Sequence, residues 1–173
     1  MVKSLVLIGF MGTGKTTVGQ AIAQKLHIPQ LDLDHYIVEK EHKDIPTIFA
    51  DKGEEYFRRI ETAYLKEVLL DGVPRVITTG GGVVLRQENR ELMIENGICV
   101  ALTAKPETII HRVKKDKNRP LLQGGVEERV HTLLKQREGL YDFAPIQLAT
   151  DGKKINEILK ELWSHLDFQQ LLP

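Results

Sequence analysis

A glycine-rich segment near the N-terminus constrains this chain more than any other feature. Residues 9–17 read Gly-Phe-Met-Gly-Thr-Gly-Lys-Thr-Thr, which fits the spacing Gly-x-x-x-x-Gly-Lys-[Ser/Thr]. The fixed positions are Gly9, Gly14, Lys15 and Thr16. Glycines let consecutive backbone N–H groups converge on an anion, Lys15 supplies a mobile positive charge, and the Thr16 hydroxyl can ligate Mg²⁺. The segment therefore predicts a site for the phosphates of a nucleotide.

The residues on both sides of this loop support the match. The apolar run 4–8 suits a strand buried on both faces, and the residues after the loop recur at helical spacing. In a strand–loop–helix setting the positive end of the helix points at the bound anion. The alternative is a chance match in a glycine-rich turn, which the two flanking patterns disfavour.

The composition carries no strong charge bias. The 173 residues include 24 lysines and arginines and 24 aspartates and glutamates, so no global field favours nucleic acid or a membrane surface. The length predicts one domain, and an apolar fraction of 42% is typical of a soluble globular protein. No apolar run approaches the roughly 20 residues that span a bilayer, and the first strand leaves no room for a signal peptide. We therefore expect a cytoplasmic protein with no nucleic-acid or membrane partner.

The cysteine and histidine content indicates neither disulfides nor a zinc site. The single cysteine, Cys99, lies in the apolar run 98–102, where a buried and inert thiol is expected. The six histidines have no zinc-ligand spacing and are interpreted as surface or boundary residues.

Strand and helix patterns alternate along the chain, which predicts a parallel sheet covered on both faces by helices. Strands are predicted near 3–8, 30–33, 75–79, 98–103 and 146–149. Helices are predicted near 15–26, 35–42, 45–52, 54–70, 87–96, 106–115, 126–140 and 153–166. The expected fold is a three-layer α/β/α domain with a five-stranded parallel sheet. Ligands of such folds bind beyond the carboxyl ends of the strands.

Two aspartates follow the second predicted strand. Asp32 and Asp34 are two residues apart, so on a strand they would point to the same side. One could then serve the shell of a metal ion and the other a substrate hydroxyl. A strand end rich in turn-forming aspartates is the alternative.

An arginine and a glutamate share a face of the helix predicted after Gly53. Arg58 and Glu61 are three residues apart, so Glu61 could hold the guanidinium in one rotamer. A pre-positioned arginine is suited to bidentate binding of a carboxylate or phosphate. Most helical pairs of this kind are solvated surface pairs, which is the alternative here.

Three further segments have the character of ligand-binding loops. The sequence Thr79-Gly80-Gly81-Gly82 exposes bare backbone after a predicted strand, although a plain loop would look the same. Residues 114–125 are basic, contain a proline and two glycines, and indicate either a lid or a solvated surface loop. Near the end of the predicted helix 126–140, Arg137 and Tyr141 are one turn apart, and a second arginine would suit an anionic substrate.

Taken together, these segments resemble the shikimate kinase family. The resemblance rests on 9–17, Asp32-x-Asp34, Ile48-Phe49-x-x-x-Gly53-Glu54-x-x-Phe57-Arg58-x-x-Glu61, Thr79-Gly80-Gly81-Gly82, Arg119-Pro120-Leu121-Leu122 and Arg137-x-x-x-Tyr141. It implies transfer of the ATP γ-phosphoryl group to the 3-hydroxyl of shikimate, in the pathway to chorismate and aromatic amino acids. It also implies a P-loop fold like that of nucleoside monophosphate kinases, with a substrate-binding region near 33–61 and a lid near 112–125.

The resemblance further implies a role for individual residues. The catalytic residues would be Lys15, Asp34 and Arg119. Shikimate would be bound by Asp34, Arg58, Gly80, Gly81, Gly82 and Arg137. ATP would be bound by Gly12, Thr13, Gly14, Lys15, Thr16, Thr17, Arg112 and Arg119. Mg²⁺ would be held by Thr16 and, through water, by Asp32.

The chain departs from the family pattern at two positions. His42 stands where members often have glycine, and Val38 where glutamate is common, which leaves the turn geometry there open. The nearest alternative function is that of another small-molecule kinase of this fold, such as a gluconate kinase. A non-catalytic ATP-binding regulator is another, although it would not need all of Asp34, Arg58, Arg119 and Arg137. We expect a monomer.

Overall fold

Five parallel strands form the central sheet. The structure is a computed structural model that describes residues 3–115 and 125–165. Its strands are β1 Ser4–Gly9, β2 Gln30–Asp32, β3 Val76–Thr78, β4 Gly97–Thr103 and β5 Ile146–Ala149. They lie in the order β2-β3-β1-β4-β5, and every neighbouring pair is parallel. The predicted five-stranded parallel sheet is confirmed.

Helices cover both faces of the sheet. In the described ranges they are α1 Lys15–Leu26, α2 Leu33–Glu41, α3 Ile45–Leu70, α4 Gln87–Asn96, α5 Pro106–Lys115, α6 Val126–Gln136 and α7 Ile155–His165. The central strand β1 shows why two layers are needed, because its side chains alternate between two hydrophobic clusters. Val6 and Ile8 pack in one cluster, while Leu5 and Leu7 pack in the other. No helix in residues 3–115 and 125–165 is long and apolar enough to cross a bilayer.

Short polar residues and glycine set the boundaries of the helices that border the cleft. Asp44 is the N-cap of α3, and its carboxylate accepts from the Thr47 N–H at 2.8 Å. Within α3, Gly53 has φ 79° and ψ 170°, a conformation that interrupts the helix between the predicted segments 45–52 and 54–70. His42 ends α2 with φ 54°, the left-handed conformation that glycine favours. The histidine thus makes the same turn that a glycine would make.

Two predicted boundaries are wrong. β2 ends at Asp32 and α2 begins at Leu33, so Asp32 and Asp34 do not lie together on a strand. The reason is the N-cap, since Asp32 Oδ1 accepts from the His35 N–H at 3.0 Å and starts the helix. The helix predicted over 126–140 ends at Gln136, and Arg137 is its C-cap. Gly139, with φ 74°, continues the chain through turns.

Cys99 is buried in the described core as predicted, and burial raises the pKa of its thiol to about 12. Most of the predicted lid 112–125, including Arg119, lies outside the described residues.

Candidate active site

The phosphate loop joins the carboxyl end of β1 to the start of α1. Gly12 and Gly14 have φ 76° and 97°, which turns the backbone in the way that the motif requires. The Lys15 ammonium donates to the carbonyls of Gly9 at 2.8 Å and Phe10 at 3.0 Å, so it lies folded over the loop. Gly14 is the N-cap of α1 and offers no side chain to the first N–H groups. These N–H groups can therefore bind an anion.

An arginine and a threonine brace the loop from the side of β5. Arg112 Nη1 donates to the Gly12 carbonyl and to Thr150 Oγ1, both at 3.0 Å, and its Nη2 donates to the Thr150 carbonyl at 3.1 Å. The buried Thr150 hydroxyl also donates to the Thr13 carbonyl at 2.9 Å. Sequence reasoning did not identify Thr150, although a polar residue directly after the last strand was an available signal.

The predicted metal residues face the same cavity as the loop. Thr16 and Asp32 both line a cavity of about 330 Å³ that also contains Lys15. Asp32 Oδ2 accepts from the Thr78 hydroxyl at 2.7 Å, which joins β2 to β3 at this edge of the sheet. The carboxylate is therefore fixed beside the phosphate loop, at the last residue of β2, which is also the N-cap of α2.

The three consecutive glycines after β3 leave room for three charged side chains. A Cβ on Gly80 would lie 2.9 Å from Asp34 Oδ1, and one on Gly81 would lie 3.0 Å from Arg137 Nη1. A Cβ on Gly82 would lie 2.6 Å from Arg58 Nη1. A side chain at any of these positions would crowd a charged group, most strongly at Gly82. The three glycines therefore border the Asp34 carboxylate and the two guanidinium groups, which a plain loop would not do.

The Arg58–Glu61 pair joins a partly buried arginine to a buried glutamate. Arg58 Nη1 donates to Glu61 Oε2 at 2.8 Å, and Glu61 is only 1% exposed. Burial raises the pKa of Glu61, and the Arg58 charge opposes this rise. Arg58 Nη2 also lies 3.3 Å from the exposed Glu54 carboxylate. The alternative of a solvated surface pair is therefore wrong, because the glutamate supports the arginine from within the core.

The second candidate arginine, Arg137, borders the middle residue of the three consecutive glycines. Arg137 stacks over the Phe10 ring, with its Cζ 5.5 Å from the ring centroid. The Tyr141 hydroxyl donates to the Gly81 carbonyl at 2.6 Å. Neither the stacking on Phe10 nor the bond to Gly81 was visible in the sequence, because their partners are far apart along the chain.

One continuous cleft contains both groups of residues. A second cavity holds Arg58, Glu61, Gly82 and Arg137, and its apolar wall is formed by Ile45, Pro46, Phe49 and Phe57. This cavity shares its border with the loop cavity through Met11, Asp34, Gly80 and Gly81. Sequence reasoning missed Met11 and the apolar wall as lining residues.

The structure brings nearly all the described candidate residues to this cleft. The loop cavity is lined by Gly12, Gly14, Lys15, Thr16, Thr17, Asp32, Asp34, Gly80, Gly81 and Arg112. Thr13 differs, because it is 1% exposed and its hydroxyl donates inward to the Phe10 carbonyl at 2.8 Å. Arg119 lies outside the described residues.

A phosphate loop at the end of the central strand of a five-stranded parallel sheet defines a P-loop protein, and the whole fold is that of a nucleoside monophosphate kinase-like phosphotransferase. Residues 11–167 match the family model described as shikimate kinase. The chain belongs to the shikimate kinase family.

Individual relatives agree with this membership. The shikimate kinase of Pelotomaculum thermopropionicum is 45% identical over 161 residues, which covers 92% of this chain and 93% of the relative. The structure of shikimate kinase from Acinetobacter baumannii in complex with shikimate is 37% identical, with a TM-score of 0.85 and 95% of each chain covered. A gluconokinase from Sinorhizobium meliloti is 20% identical with a TM-score of 0.62, covering 96% of this chain and 97% of that one. The likeness to the gluconokinase shows the fold alone.

Proposed function

We propose that this protein transfers the γ-phosphoryl group of ATP to the 3-hydroxyl of shikimate, giving shikimate 3-phosphate and ADP on the route to chorismate. Membership of the shikimate kinase family supports the reaction. One observation carries the assignment of the acceptor site: Arg58, Arg137 and Asp34 meet around the triple glycine, in a cavity continuous with the phosphate loop.

The loop end of the cleft binds the phosphates of ATP. The residues assigned to ATP are Gly12, Thr13, Gly14, Lys15, Thr16, Thr17, Arg112 and Arg119. Thr13 takes part through its backbone, because its side chain is turned inward. Lys15 lies where a positive charge can stabilise the transferring group, and phosphoryl transfer depends mainly on such positioning and charge neutralisation.

The other end binds shikimate. Arg58 and Arg137 bind its carboxylate, for which two guanidinium groups provide several charge-assisted hydrogen bonds. Asp34 binds the ring hydroxyls and orients the hydroxyl that attacks the phosphorus. The backbone of Gly80, Gly81 and Gly82 borders the ring. A loose transition state places little charge on the attacking oxygen, so Asp34 needs only to hold this hydroxyl and accept its proton as the bond forms.

Mg²⁺ is the proposed cofactor, and the residues beside the phosphate loop fit it. The Thr16 hydroxyl and the Asp32 carboxylate supply the oxygen ligands that Mg²⁺ prefers, with the phosphates and water completing the shell. Residues 3–115 and 125–165 contain no group of three histidine, cysteine or acidic side chains that could hold a metal. Two protein oxygens agree with the usual mode of Mg²⁺ in phosphoryl transfer, where the ion neutralises phosphate charge.

The remaining assignments follow from the sequence. Residues 1–173 are proposed to form one domain, with a substrate-binding region near 33–61 and a lid near 112–125 that brings Arg119 to the phosphates and excludes water. The protein is proposed to act in the cytoplasm as a monomer, without nucleic-acid or membrane partners. The equal numbers of basic and acidic residues and the buried thiol of Cys99 support this proposal.

A coupled assay of ADP release tests the reaction. Purified protein with ATP and Mg²⁺ is given shikimate, gluconate or no acceptor, and the phosphorylated product is identified by mass spectrometry. With shikimate we expect turnover above the rate measured without an acceptor. With gluconate we expect no increase above that rate. Turnover with gluconate alone would assign the chain to the other acceptor, and no turnover with either would indicate a non-catalytic ATP-binding protein.

A further inference from the structure

The hydroxyl of Tyr141 contacts the middle residue of Gly80-Gly81-Gly82, although Tyr141 does not line the second cavity. It donates to the Gly81 carbonyl at 2.6 Å, a short distance for this type of hydrogen bond. Gly81 also borders Arg137, since a Cβ there would lie 3.0 Å from Arg137 Nη1. The Arg137 side chain hydrogen-bonds to the same Tyr141 hydroxyl, so both Tyr141 and Gly81 contact one of the two acceptor-site arginines.

The tyrosine is held firmly enough to act as a fixed anchor. Its ring packs against two of the hydrophobic clusters, the one that contains Phe57 and the one that contains Phe10. Its carbonyl accepts from the Gln147 side-chain amide at 3.1 Å and from the Ala144 N–H at 3.3 Å. Burial raises the pKa of the Tyr141 phenol, although the nearby Arg137 charge opposes this rise. The hydroxyl thus keeps its proton and remains a donor at neutral pH.

We propose that Tyr141 is a positioning residue for the acceptor site, because its hydrogen bond fixes the Gly81–Gly82 peptide between Arg137 and Arg58. The Gly81 carbonyl and the Gly82 N–H belong to one planar peptide unit, so an anchor on the oxygen also sets the direction of the N–H. Glycines on both sides would otherwise let this unit rotate. Gly82 in turn faces Arg58, where a Cβ would lie 2.6 Å from Nη1.

This inference rests on the proposed binding of shikimate by Arg58 and Arg137. Tyr141 itself does not bind the substrate. It acts through the glycine backbone and through its own hydrogen bond with Arg137, and it is not among the residues lining the loop cavity that holds Lys15 and Thr16. Loss of its hydroxyl should therefore weaken the binding of shikimate and leave the binding of ATP unchanged.

The test compares Tyr141→Phe with the control Tyr64→Phe. Tyr64 also donates a hydrogen bond, to Glu41 Oε1 at 2.8 Å, and it lies outside both cavities of the cleft. We expect Tyr141→Phe to raise the KM for shikimate roughly three- to tenfold, the factor that corresponds to one net hydrogen bond, with the KM for ATP unchanged. Tyr64→Phe should change neither KM, while thermal midpoints show how far each variant loses stability.

Two outcomes would overturn the inference. One is a shikimate KM for Tyr141→Phe equal to that of Tyr64→Phe. The other is an equal rise in both KM values, which would indicate a general structural role. Arg137→Ala is measured in parallel: if it also leaves the shikimate KM unchanged, the proposed acceptor site is itself wrong. If Arg137→Ala raises the KM and Tyr141→Phe does not, only the role of Tyr141 fails.

Discussion

The two ends of the cleft are built in different ways. The phosphate end is formed by consecutive residues 9–17, whose backbone turns at Gly12 and Gly14, and its lysine is held by carbonyls of the same loop. The acceptor end is formed by side chains from four separate segments, which meet only because the sheet brings its strand ends together. The first is a local structure, proposed to bind the phosphates of ATP. The second depends on the whole fold and is proposed to bind shikimate.

The supports differ as well. The phosphate loop is held by hydrogen bonds to its backbone carbonyls, donated by Arg112 of α5 and by Thr150, which directly follows β5. The acceptor arginines rest on buried side chains, since Glu61 holds Arg58 and Phe10 underlies Arg137. We therefore expect substitutions at the two ends to have separable effects on the two substrates.

The largest effect is expected from a substitution in the phosphate loop. Lys15→Ala should lower kcat by about a hundredfold or more, because a positive charge that stabilises the transferring group is lost in a preorganised site. The coupled ADP-release assay measures it. Lys25→Ala is the control, since Lys25 is an exposed lysine on the same helix. A rate for Lys15→Ala close to that of the control would remove the assignment of the loop.

The next largest effect is expected from a substitution at the acceptor end of the cleft. Arg58→Ala should raise the KM for shikimate roughly 10- to 100-fold, the range for lost hydrogen bonds to a charged group, with little change in the KM for ATP. Arg59→Ala is the matched control, because the neighbouring Arg59 is exposed and contacts the Tyr56 ring. The placement is wrong if both arginine variants behave alike.

A smaller effect is expected from substitutions of the glycines that border the two arginines. Gly82→Ala adds a methyl group 2.6 Å from Arg58 Nη1, so the guanidinium must move, and the KM for shikimate should rise roughly five- to tenfold. Gly81→Ala should do less, because its nearest contact, Arg137 Nη1, is 3.0 Å away. Steady-state kinetics with both substrates checks this order. A larger effect at Gly81 than at Gly82 would contradict the proposed crowding.

The smallest effect is expected in the pH dependence of the free energy of unfolding, through the carboxyl group of Glu61. Burial raises the folded-state pKa of Glu61 above its ordinary value of 4.5, so the native protein keeps a proton that the unfolded chain loses first. The native state then binds more protons above pH 4.5, and the free energy of unfolding falls as pH rises through the window up to the raised pKa. Glu61→Gln cannot titrate. The difference in free energy of unfolding, wild type minus variant, should therefore decrease with pH, by at most about 1.4 kcal/mol per pH unit.

Denaturant unfolding of both proteins at a series of pH values measures this difference. Groups shared by the two proteins cancel in the subtraction, so the slope reports Glu61 and its immediate neighbours. A difference that stays constant or increases with pH would show that the Arg58 charge outweighs burial.

The sequence predicted the parts of this molecule that depend on local patterns. The strand positions, the break at Gly53 between two predicted helices and the phosphate loop follow from nearby residues, and the structure agrees with them. The start of α2 was missed because an N-cap at Asp32 competes with a continued strand, and the residues alone do not decide between them. The bond from Tyr141 to Gly81 joins residues 60 positions apart, so only the folded chain reveals it.

The most direct test of separately built ends is a calorimetric binding measurement on Lys15→Ala and Arg137→Ala. Shikimate and a non-hydrolysable ATP analogue are titrated separately into each variant and into the wild type. We predict that Arg137→Ala loses affinity for shikimate and keeps its affinity for the nucleotide, while Lys15→Ala loses affinity for the nucleotide and keeps its affinity for shikimate. Equal loss of both affinities in either variant would contradict it.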